Sequence, residues 1–450
     1  MSAQPVTETT ARRLLVLLAK EQVAARAPSL VAGVLREGEL VWSGSRGSVV
    51  STDPGVSPTT DTQYRIGSIT KILTALLVLQ LRDEGALQLT DRLDRHLPGV
   101  AYGARTLREL LSHSSGMPAE PPGPWWERSA GVPFDDLVSR LDETAAVFRP
   151  GQEFHYSNVG FALLGEVVAR VRGTSWATVL TSRVLEPLGM HRTTYLASEP
   201  AAAGFSVDAF SGELTPEPSH DSLGMAAAGQ LWSTVEDLSR LAAFLLDPHS
   251  DVLAPESVSE MTVGQIGVPD EPAAGSYGLG LSLGVAGERS YLGHTGSVPG
   301  FRAGLFLDRV RSTAGICVSN GGTGLRAEAF PLDLMRVLEE QEPSIPPAWT
   351  PAASLPPAVR DVLGLWHWGN QAFTMSYEDE VVVARILDSG LTWCTFRRVD
   401  ARGVIGATGY FAGEPLTAVR RPDGSVGHLE CATFIFTRVP YDPQAPIPGG

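Results

Sequence analysis

The amino-acid sequence predicts an α+β fold followed by a smaller all-β domain. Strand-like runs lie near the N-terminus and again beyond about residue 274, and the segment between them carries helical patterns. Strands at both ends of a helical segment are typical of a core whose antiparallel sheet is assembled from the two ends. A Pro-rich stretch then precedes a further set of short β-rich runs, which indicates a second domain.

The elements of the first domain can be predicted in chain order. Residues 29–52 have the pattern of a β-hairpin, with two β-rich runs separated by a charged turn that contains Gly38. The segment KILTALLVLQLRDEG, which starts at Lys71, is apolar nearly all round and too long for a strand, so it predicts a buried helix. Further helices are predicted at 106–112, 157–172, 235–246 and 326–341, and strands in the runs SYGLGLSLGVA, RSYLGHTGSV, RAGLFLDRV and TAGICVSNG.

The composition of the C-terminal part sets the expected domain boundaries. Residues 1–341 form the first domain, and residues 342–358 (EPSIPPAWTPAASLPPA) are a Pro-rich linker that we expect to be semi-rigid. Residues 359–450 contain short β-rich runs separated by Gly, Asp and Asn, which predicts a small all-β domain, either a closed barrel or a sandwich.

Charge and hydropathy exclude several functions. Fifty acidic residues against 35 basic ones give a formal charge of −15, and such a surface repels nucleic acid and anionic lipid. No stretch of 18 apolar residues occurs, so no membrane span is expected. The apolar run Leu14–Ala19 is too short for a secretory signal, and we therefore expect a cytoplasmic protein.

No motif for a metal or a cofactor is present in the sequence. The nine histidines include no HExxH pattern, and neither a Walker motif nor a dinucleotide-binding glycine motif occurs. The three cysteines lie in apolar, strand-like runs without a CxxC pair, and we expect them to be small buried hydrophobic residues. We therefore expect neither a metal nor a cofactor.

The scarcity of lysine draws attention to one position. Lys20 and Lys71 are the two lysines among 35 basic residues, and Lys71 lies inside the predicted hydrophobic helix. Arginine cannot act as a base near neutral pH, whereas a desolvated lysine can lose its proton there. Ser68 precedes Lys71 by three residues, so both side chains project from one face of the helix and the amine can activate the hydroxyl. Taken alone, the pair is equally compatible with an N-cap serine and a lysine that extends from the core to solvent.

Two further segments carry polar groups at predicted element ends. Tyr156-Ser157-Asn158 begins a predicted helix, and His294-Thr295-Gly296, followed by Ser297, ends a predicted strand. Gly296 permits a substrate to approach the backbone closely, and an amide after it can form half of an oxyanion hole. Each segment alone is also explained by ordinary helix capping or a strand end.

In the order Ser-x-x-Lys, Tyr-x-Asn and His-Thr-Gly, the three motifs together resemble the signature of serine β-lactamases and penicillin-binding proteins. They are most similar to the branch with class C β-lactamases, DD-peptidases, D-aminopeptidases and related esterases. The resemblance covers roughly residues 25–340 and includes the segments LSHSSG at 111–116 and GQLWST at 229–234. It implies an antiparallel sheet built from both ends of the domain with an inserted helical subdomain.

The resemblance also implies roles for individual residues. Ser68 is expected to be acylated, with Lys71 as its general base, Tyr156 as the proton shuttle and Asn158 as the group that orients the substrate amide. The backbone amides of Ser68 and Ser297 would form the oxyanion hole, and Thr295 and Gly296 would line the substrate. His294 belongs to this catalytic set but stands where class C β-lactamases have lysine, which favours peptidase-like or acyl-transfer chemistry over β-lactam hydrolysis.

Three functions remain open on the sequence. The first is a serine hydrolase that cleaves peptides or esters, including those with D-residues. The second is a penicillin-binding-protein-like acyl transferase that releases and cyclises nonribosomal peptides from a carrier protein, since such enzymes resemble this chain in having a lipocalin-like C-terminal domain. The third is an inactive binding or sensor protein that retains the fold.

Four other residues are considered for further roles. Arg438 in the last β-run is either a substrate contact from the C-terminal domain or a solvated strand charge. Trp125 and Trp126 either edge a cleft or pack locally. His113 is interpreted as a structural residue of a Ser-rich turn.

Overall fold

The computed structural model describes residues 4–50, 56–268, 275–287, 289–345, 348–351, 354–399, 403–442 and 445. The last two residues of the hairpin predicted at 29–52 and parts of the predicted linker (346–347 and 352–353) lie outside the described residues. The chain divides into two compact units, Met1–Ser344 and Ile345–Gly450. This division falls inside the predicted linker.

The first unit contains helices and strands in the order that the sequence predicts. Its helices are α1 Glu8–Ala24, α2 Thr70–Asp83, α3 Leu93–His96, α4 Leu107–Leu111, α5 Phe134–Val138, α6 Asn158–Arg172, α7 Trp176–Leu180, α8 Ala226–Gly229, α9 Val235–Leu246, α10 Pro255–Met261 and α11 Ala329–Gln341. Its strands are β1 Ser29–Arg36, β2 Glu39–Gly47, β3 Tyr64–Arg65, β4 Phe205–Val207, β5 Leu214–Pro216, β6 Trp232–Ser233, β7 Ile266–Gly267, β8 Ser276–Tyr277, β9 Ser282–Ala286, β10 Arg289–Val298, β11 Phe301–Asp308 and β12 Thr313–Ser319.

Eight of these strands form one sheet in the order β2-β1-β12-β11-β10-β9-β8-β7. The N-terminal hairpin therefore joins the last strands of the unit, as the sequence predicts. Strand β1 pairs antiparallel with β12, with Gly33 opposite Ile316. Strand β10 pairs with β11, which places Ser297 opposite Arg302 near the turn between them. The helices between β2 and β7 form the inserted part of an α+β fold.

Helix α2 is the centre of the hydrophobic core. All its residues from Thr70 to Leu81 are buried, which explains why its sequence is apolar on every face. A short 3₁₀ turn, Gly67–Ile69, precedes it and carries Ser68. Helix α6 begins after Ser157, whose side chain accepts a hydrogen bond from the Gly160 amide and so caps the helix. Both helices thus begin at residues that the sequence motifs identify.

The second unit is a closed barrel of eight strands in sequential order. Its interior is filled by side chains such as Trp366, Phe373, Phe396 and Phe436, all buried. The sequence leaves a barrel and a sandwich open, and the structure is the barrel. A short helix precedes the strands and begins within the last two residues of the predicted linker, because proline at a first helical turn gives the same signal as proline in a linker. The elements are α12 Pro357–Val362, β13 Gly364–Trp368, β14 Gln371–Glu378, β15 Val381–Ile386, β16 Thr392–Val399, β17 Gly403–Thr408, β18 Pro415–Arg420, β19 Val426–Cys431 and β20 Phe434–Thr437.

Candidate active site

The turn that carries Ser68 lies directly against strand β10. Gly67 has φ of +49°, and a Cβ atom at this position would lie 2.8 Å from the Ser297 amide nitrogen and 3.1 Å from the Ser297 carbonyl oxygen. At Gly296 a Cβ atom would lie 1.9 Å from the Ile66 carbonyl oxygen. Only glycine allows these backbones to approach so closely. The two glycines therefore bring the Ser68 turn and the Ser297 amide to the same place.

Lys71 is completely buried beneath Ser68. Its Nζ atom lies 3.0 Å from Ser68 Oγ, 2.6 Å from Asn158 Oδ1 and 2.7 Å from the Ala228 carbonyl oxygen. The amide and carbonyl oxygens can only accept hydrogen bonds, whereas a hydroxyl can also donate. A neutral amine, with two N–H bonds and one lone pair, therefore donates to Asn158 and Ala228 and turns its lone pair towards Ser68. This geometry is suited to removing the hydroxyl proton.

The environment of Lys71 favours the neutral amine. Burial lowers the pKa of Lys71 to about 7, and the negative charges of Glu120 and Glu127 partly oppose this effect. Near neutral pH, both the amine and the ammonium are therefore populated. A group with this pKa can take up a proton and return it within one catalytic cycle.

Asn158 is held in a fixed orientation by a carboxylate. Its Nδ2 atom donates to Glu120 Oε1 at 2.7 Å, so its Oδ1 atom must face Lys71. The other carboxylate oxygen of Glu120 accepts a hydrogen bond of 2.7 Å from Trp126 Nε1. Trp126 is buried, whereas its neighbour Trp125 is 59% exposed and donates to Glu127. The tryptophan pair therefore both holds the site's acidic side chains and lies at its edge.

Tyr156 is half-buried, and its phenol oxygen is shielded from solvent between Ser68 and a group of aromatic rings. Burial raises the pKa of the Tyr156 phenol above its ordinary value, an effect that the nearby Ser68 hydroxyl partly offsets. The phenol oxygen makes no hydrogen bond of ordinary geometry within the described part of the chain. Lys71 Nζ lies 4.8 Å from the centroid of the Tyr156 ring. A protonated phenol is thus placed beside both the hydroxyl and the amine.

His294, on β10, is neutral and has partners for both ring nitrogens. The Thr295 carbonyl can only accept, so His294 Nδ1 carries the proton, and Nε2 accepts a hydrogen bond of 3.0 Å from the Tyr277 hydroxyl. Burial lowers the pKa of His294 to about 4, and the positive charge of Lys71 contributes to this shift. Thr295 is half-buried and Ser297 exposed, so the end of β10 is open to a ligand beside the Ser68 turn. A catalytic part for His294 stays a prediction.

The structure brings together the predicted residues of the first unit. The groups of Ser68, Lys71, Tyr156 and Asn158 meet within hydrogen-bonding or ring-contact distance, and the Ser297 amide adjoins their turn. Arg438 belongs to the barrel unit and follows β20. Its guanidinium lies 3.5 Å from the centroid of the Trp366 ring and donates to the carbonyls of Leu363 and Leu365. These contacts support the barrel, and a substrate contact through Arg438 stays a prediction.

Sequence reasoning missed Glu120 and the carboxylate of Glu127. Neither stands at a recognisable spacing from Ser68 or Lys71, because both reach the site from a loop that folds back over it. The nearby tryptophans and prolines were the available signal for a cleft-edging loop. Within the described residues, no group of three or more histidine, cysteine or acidic side chains could hold a metal ion. Within that part of the chain, no helix is long and apolar enough to cross a membrane.

Fold and site together define a β-lactamase-like class of serine hydrolases. The chain belongs to the Beta-lactamase family, whose model matches residues 16–339. Residues 355–438 match a second model, a domain of unknown function designated DUF7586.

Several known proteins are similar to this chain. Penicillin-binding protein 4 of Amycolatopsis lactamdurans is 31% identical over 341 residues, which are 69% of this chain and 84% of that protein. The octameric penicillin-binding protein homologue from Pyrococcus abyssi aligns with a TM-score of 0.66 and 23% identity over 96% of this chain and 100% of its own. A D-stereospecific amidohydrolase from Streptomyces sp. aligns with a TM-score of 0.61 and 26% identity over 75% of this chain and 99% of its own. Other curated relatives are only partly covered: the match to Beta-lactamase-like protein 2 of Dictyostelium discoideum, 30% identical over 52% of this chain, spans 45% of that protein.

Proposed function

We propose that the protein is a serine acyl-enzyme hydrolase that cleaves amide or ester bonds, with Ser68 as the nucleophile and Lys71 as its base. One observation carries the proposal: among the residues that the structure describes, Ser68 Oγ is the one hydrogen-bond partner of the Lys71 amine that can donate a proton, while Asn158 and Ala228 occupy its N–H bonds. Burial adds to this by lowering the pKa of Lys71 to about 7. A hydroxyl so placed is activated without a histidine.

The proposed reaction proceeds in two halves. Ser68 Oγ attacks the carbonyl carbon as its proton passes to Lys71 Nζ, and the amides of Ser68 and Ser297 stabilise the resulting oxyanion. Lys71 returns the proton through the Tyr156 phenol to the leaving amine or alcohol, whose bond to the acyl carbon then breaks. Water next attacks the acyl-enzyme, gives up a proton to the same groups, and releases the acid while Ser68 regains its hydrogen.

The charge of the site favours a particular substrate class. Glu120 is exposed, and Glu127 is half-buried with its pKa raised by burial and by the neighbouring Glu120 charge. Two carboxylates beside the Ser68 pocket favour a substrate that presents an ammonium group and disfavour a free carboxylate at the same place. Amides and esters of D-amino acids, or peptides that begin with them, fit this charge. The similarity to a D-stereospecific amidohydrolase supports the D-configuration.

Covalent labelling tests the nucleophile. A fluorophosphonate should add to the wild-type chain at a single serine, which peptide mass spectrometry locates at Ser68, and should leave Ser68→Ala unlabelled. Equal labelling of both proteins would refute the assignment. A wild type that is neither labelled nor able to hydrolyse D-phenylalaninamide would instead support the inactive binding or sensor protein.

An acyl transferase that cyclises a carrier-bound peptide is the alternative. The observation that favours it is the two-unit layout, a β-lactamase-like unit followed by an eight-stranded barrel. The two functions differ in whether water or a peptide amine attacks the acyl-enzyme. One peptidyl thioester and its matching oxygen ester would be offered, and the product masses read. Linear acids support hydrolysis, and products lighter by one water support cyclisation.

A further inference from the structure

His113 occupies a strained and fully buried position close to the site. Its backbone has φ of +55°, which is uncommon for a residue with a Cβ atom, and its side chain has no exposed surface. Such a conformation is sterically unfavourable for a residue with a Cβ atom, so the surrounding contacts must compensate for it. The contacts of this residue are therefore informative about its role.

The two backbone amides that flank Tyr156 both donate to His113. The His155 N–H donates to the His113 carbonyl at 2.8 Å, and the Ser157 N–H donates to His113 Nδ1 at 3.0 Å. The His113 and Tyr156 rings also pack against each other, with centroids 4.1 Å apart and planes inclined by 35°. One residue thus fixes Tyr156 from both sides along the chain and from one face of its ring.

The hydrogen bond from Ser157 sets the tautomer of His113. A backbone N–H can only donate, so Nδ1 carries the lone pair and the proton is on Nε2. Nε2 is buried and has no hydrogen-bond partner among the described residues. Burial keeps the pKa of His113 well below its ordinary value, and the charge of Lys71 acts in the same direction. The ring is held neutral, in the one form that can accept from Ser157.

We propose that His113 is a positioning residue whose Nδ1 acceptor holds the Tyr156 phenol against Ser68 and the leaving group. The inference rests on the proposed function, because it assigns His113 to the step in which Tyr156 passes a proton to the leaving amine. Asparagine at this position places an amide oxygen where Nδ1 lies and tolerates a positive φ. Glutamine carries the same amide one methylene further out and loses that acceptor. The two substitutions form a matched pair.

The effect of a substitution on kcat/KM can be compared between an amide and an ester substrate. This comparison distinguishes a misplaced Tyr156 from a general loss of order in the site. D-Phenylalaninamide needs its leaving nitrogen protonated, whereas D-phenylalanine p-nitrophenyl ester forms the same acyl-enzyme and releases a stable anion. His113→Gln should lower kcat/KM for the amide by about 10- to 100-fold and for the ester by less than about 3-fold. His113→Asn should stay within about 3-fold of wild type for both substrates. Tyr156→Phe should show the pattern of His113→Gln, and combining the two substitutions should add little to Tyr156→Phe alone.

Circular dichroism and thermal unfolding establish that each variant is folded. Equal losses for amide and ester in His113→Gln, or wild-type rates for both, would overturn the positioning role. If His113→Gln does not fold, His113→Asn still decides the matter: an amide-selective loss in a folded asparagine variant contradicts the acceptor argument, and wild-type rates support it. A wild type inert towards both substrates would overturn the proposed function and this inference with it, whereas an active wild type with an unselective His113→Gln overturns the inference alone.

Discussion

Glu120 accepts a hydrogen bond of 2.7 Å from Asn158 Nδ2, and this contact decides which atom of the Asn158 amide faces Lys71. The carboxylate cannot donate, so the amide cannot turn round without losing both of its hydrogen bonds. Lys71 therefore meets an acceptor at Asn158, and its lone pair is left for Ser68. In the proposed reaction, a loop carboxylate would thus set the direction of proton transfer from Ser68. The same carboxylate supplies negative charge that raises the pKa of Lys71 against the larger effect of burial.

Glu120→Gln should move the pH dependence of catalysis. Removing a negative charge beside Lys71 makes the ammonium less favourable, so the pKa of the amine should fall below its wild-type value of about 7. The acid limb of kcat/KM should then shift to lower pH. The exposed Glu213 lies in the β4–β5 hairpin, and Glu213→Gln is a control for loss of one surface charge. An acid limb that stays in place in Glu120→Gln would contradict the electrostatic role.

Gly67→Ala should abolish most of the activity. The new Cβ atom would lie 2.8 Å from the Ser297 amide nitrogen, so the Ser68 turn and β10 must move apart. Loss of one oxyanion contact alone costs about 100- to 1,000-fold in kcat. Gly212→Ala is the matched control, because Gly212 also has a positive φ of +76° but nothing within 4 Å of the added atom. Equal kinetic effects of the two substitutions would mean that backbone strain, and not the contact with Ser297, limits the reaction.

Trp126→Phe should weaken the hold on Glu120 while preserving the ring. The indole N–H donates to Glu120 Oε2 at 2.7 Å, and hydrogen bonds to charged groups contribute about 1.5–3 kcal/mol. We expect kcat/KM to fall by about 10-fold, which corresponds to about 1.4 kcal/mol. Trp125→Phe removes the corresponding bond to Glu127 at the exposed edge and should have a smaller effect. A larger loss in Trp125→Phe would contradict the assignment of Glu120 as the residue that orients Asn158.

Arg438→Met should destabilise the barrel unit. The guanidinium packs on Trp366 and donates to two backbone carbonyls, which together contribute about 1–3 kcal/mol. Differential scanning calorimetry of the intact chain should show a lower transition temperature than for Arg397→Met, which removes an exposed charge from β16. Unchanged stability together with a raised KM would instead favour the substrate-contact interpretation.

Much of the fold could be predicted because it depends on local patterns. The apolar run after Lys71 predicts α2, and the strands at both ends of the first unit predict its sheet. Helix α11 is predicted to begin at 326 but begins at Ala329. Its N-cap residue, Glu328, makes no side-chain capping hydrogen bond, so no capping signal in the sequence marks the start. Ser68 and Lys71 could be predicted because a fixed helical spacing links them and lysine is otherwise scarce.

The rest of the site depends on contacts between distant segments. Glu120 reaches Asn158 across 38 positions, and Ser157 reaches His113 across 44. No periodicity connects such positions, so sequence patterns cannot single out Glu120 from other loop acids. His113 could be assigned to a turn, as its positive φ confirms, but the direction of its ring depends on how α6 packs. The positions of Glu120 and His113 in the site therefore depend on how the loop closes and how α6 packs, which residue spacing does not encode.

The central claim is that Lys71, as a neutral amine, removes the proton of Ser68. It is tested most directly by the rate at which a fluorophosphonate modifies Ser68, measured from about pH 5 to about pH 9 in the wild type and in Lys71→Met. The account predicts a wild-type rate that rises with a single proton loss centred near pH 7, as the pKa of Lys71 requires, and a slow, featureless profile in Lys71→Met. A wild-type rate that does not change across this range, or the same midpoint in Lys71→Met, would contradict it.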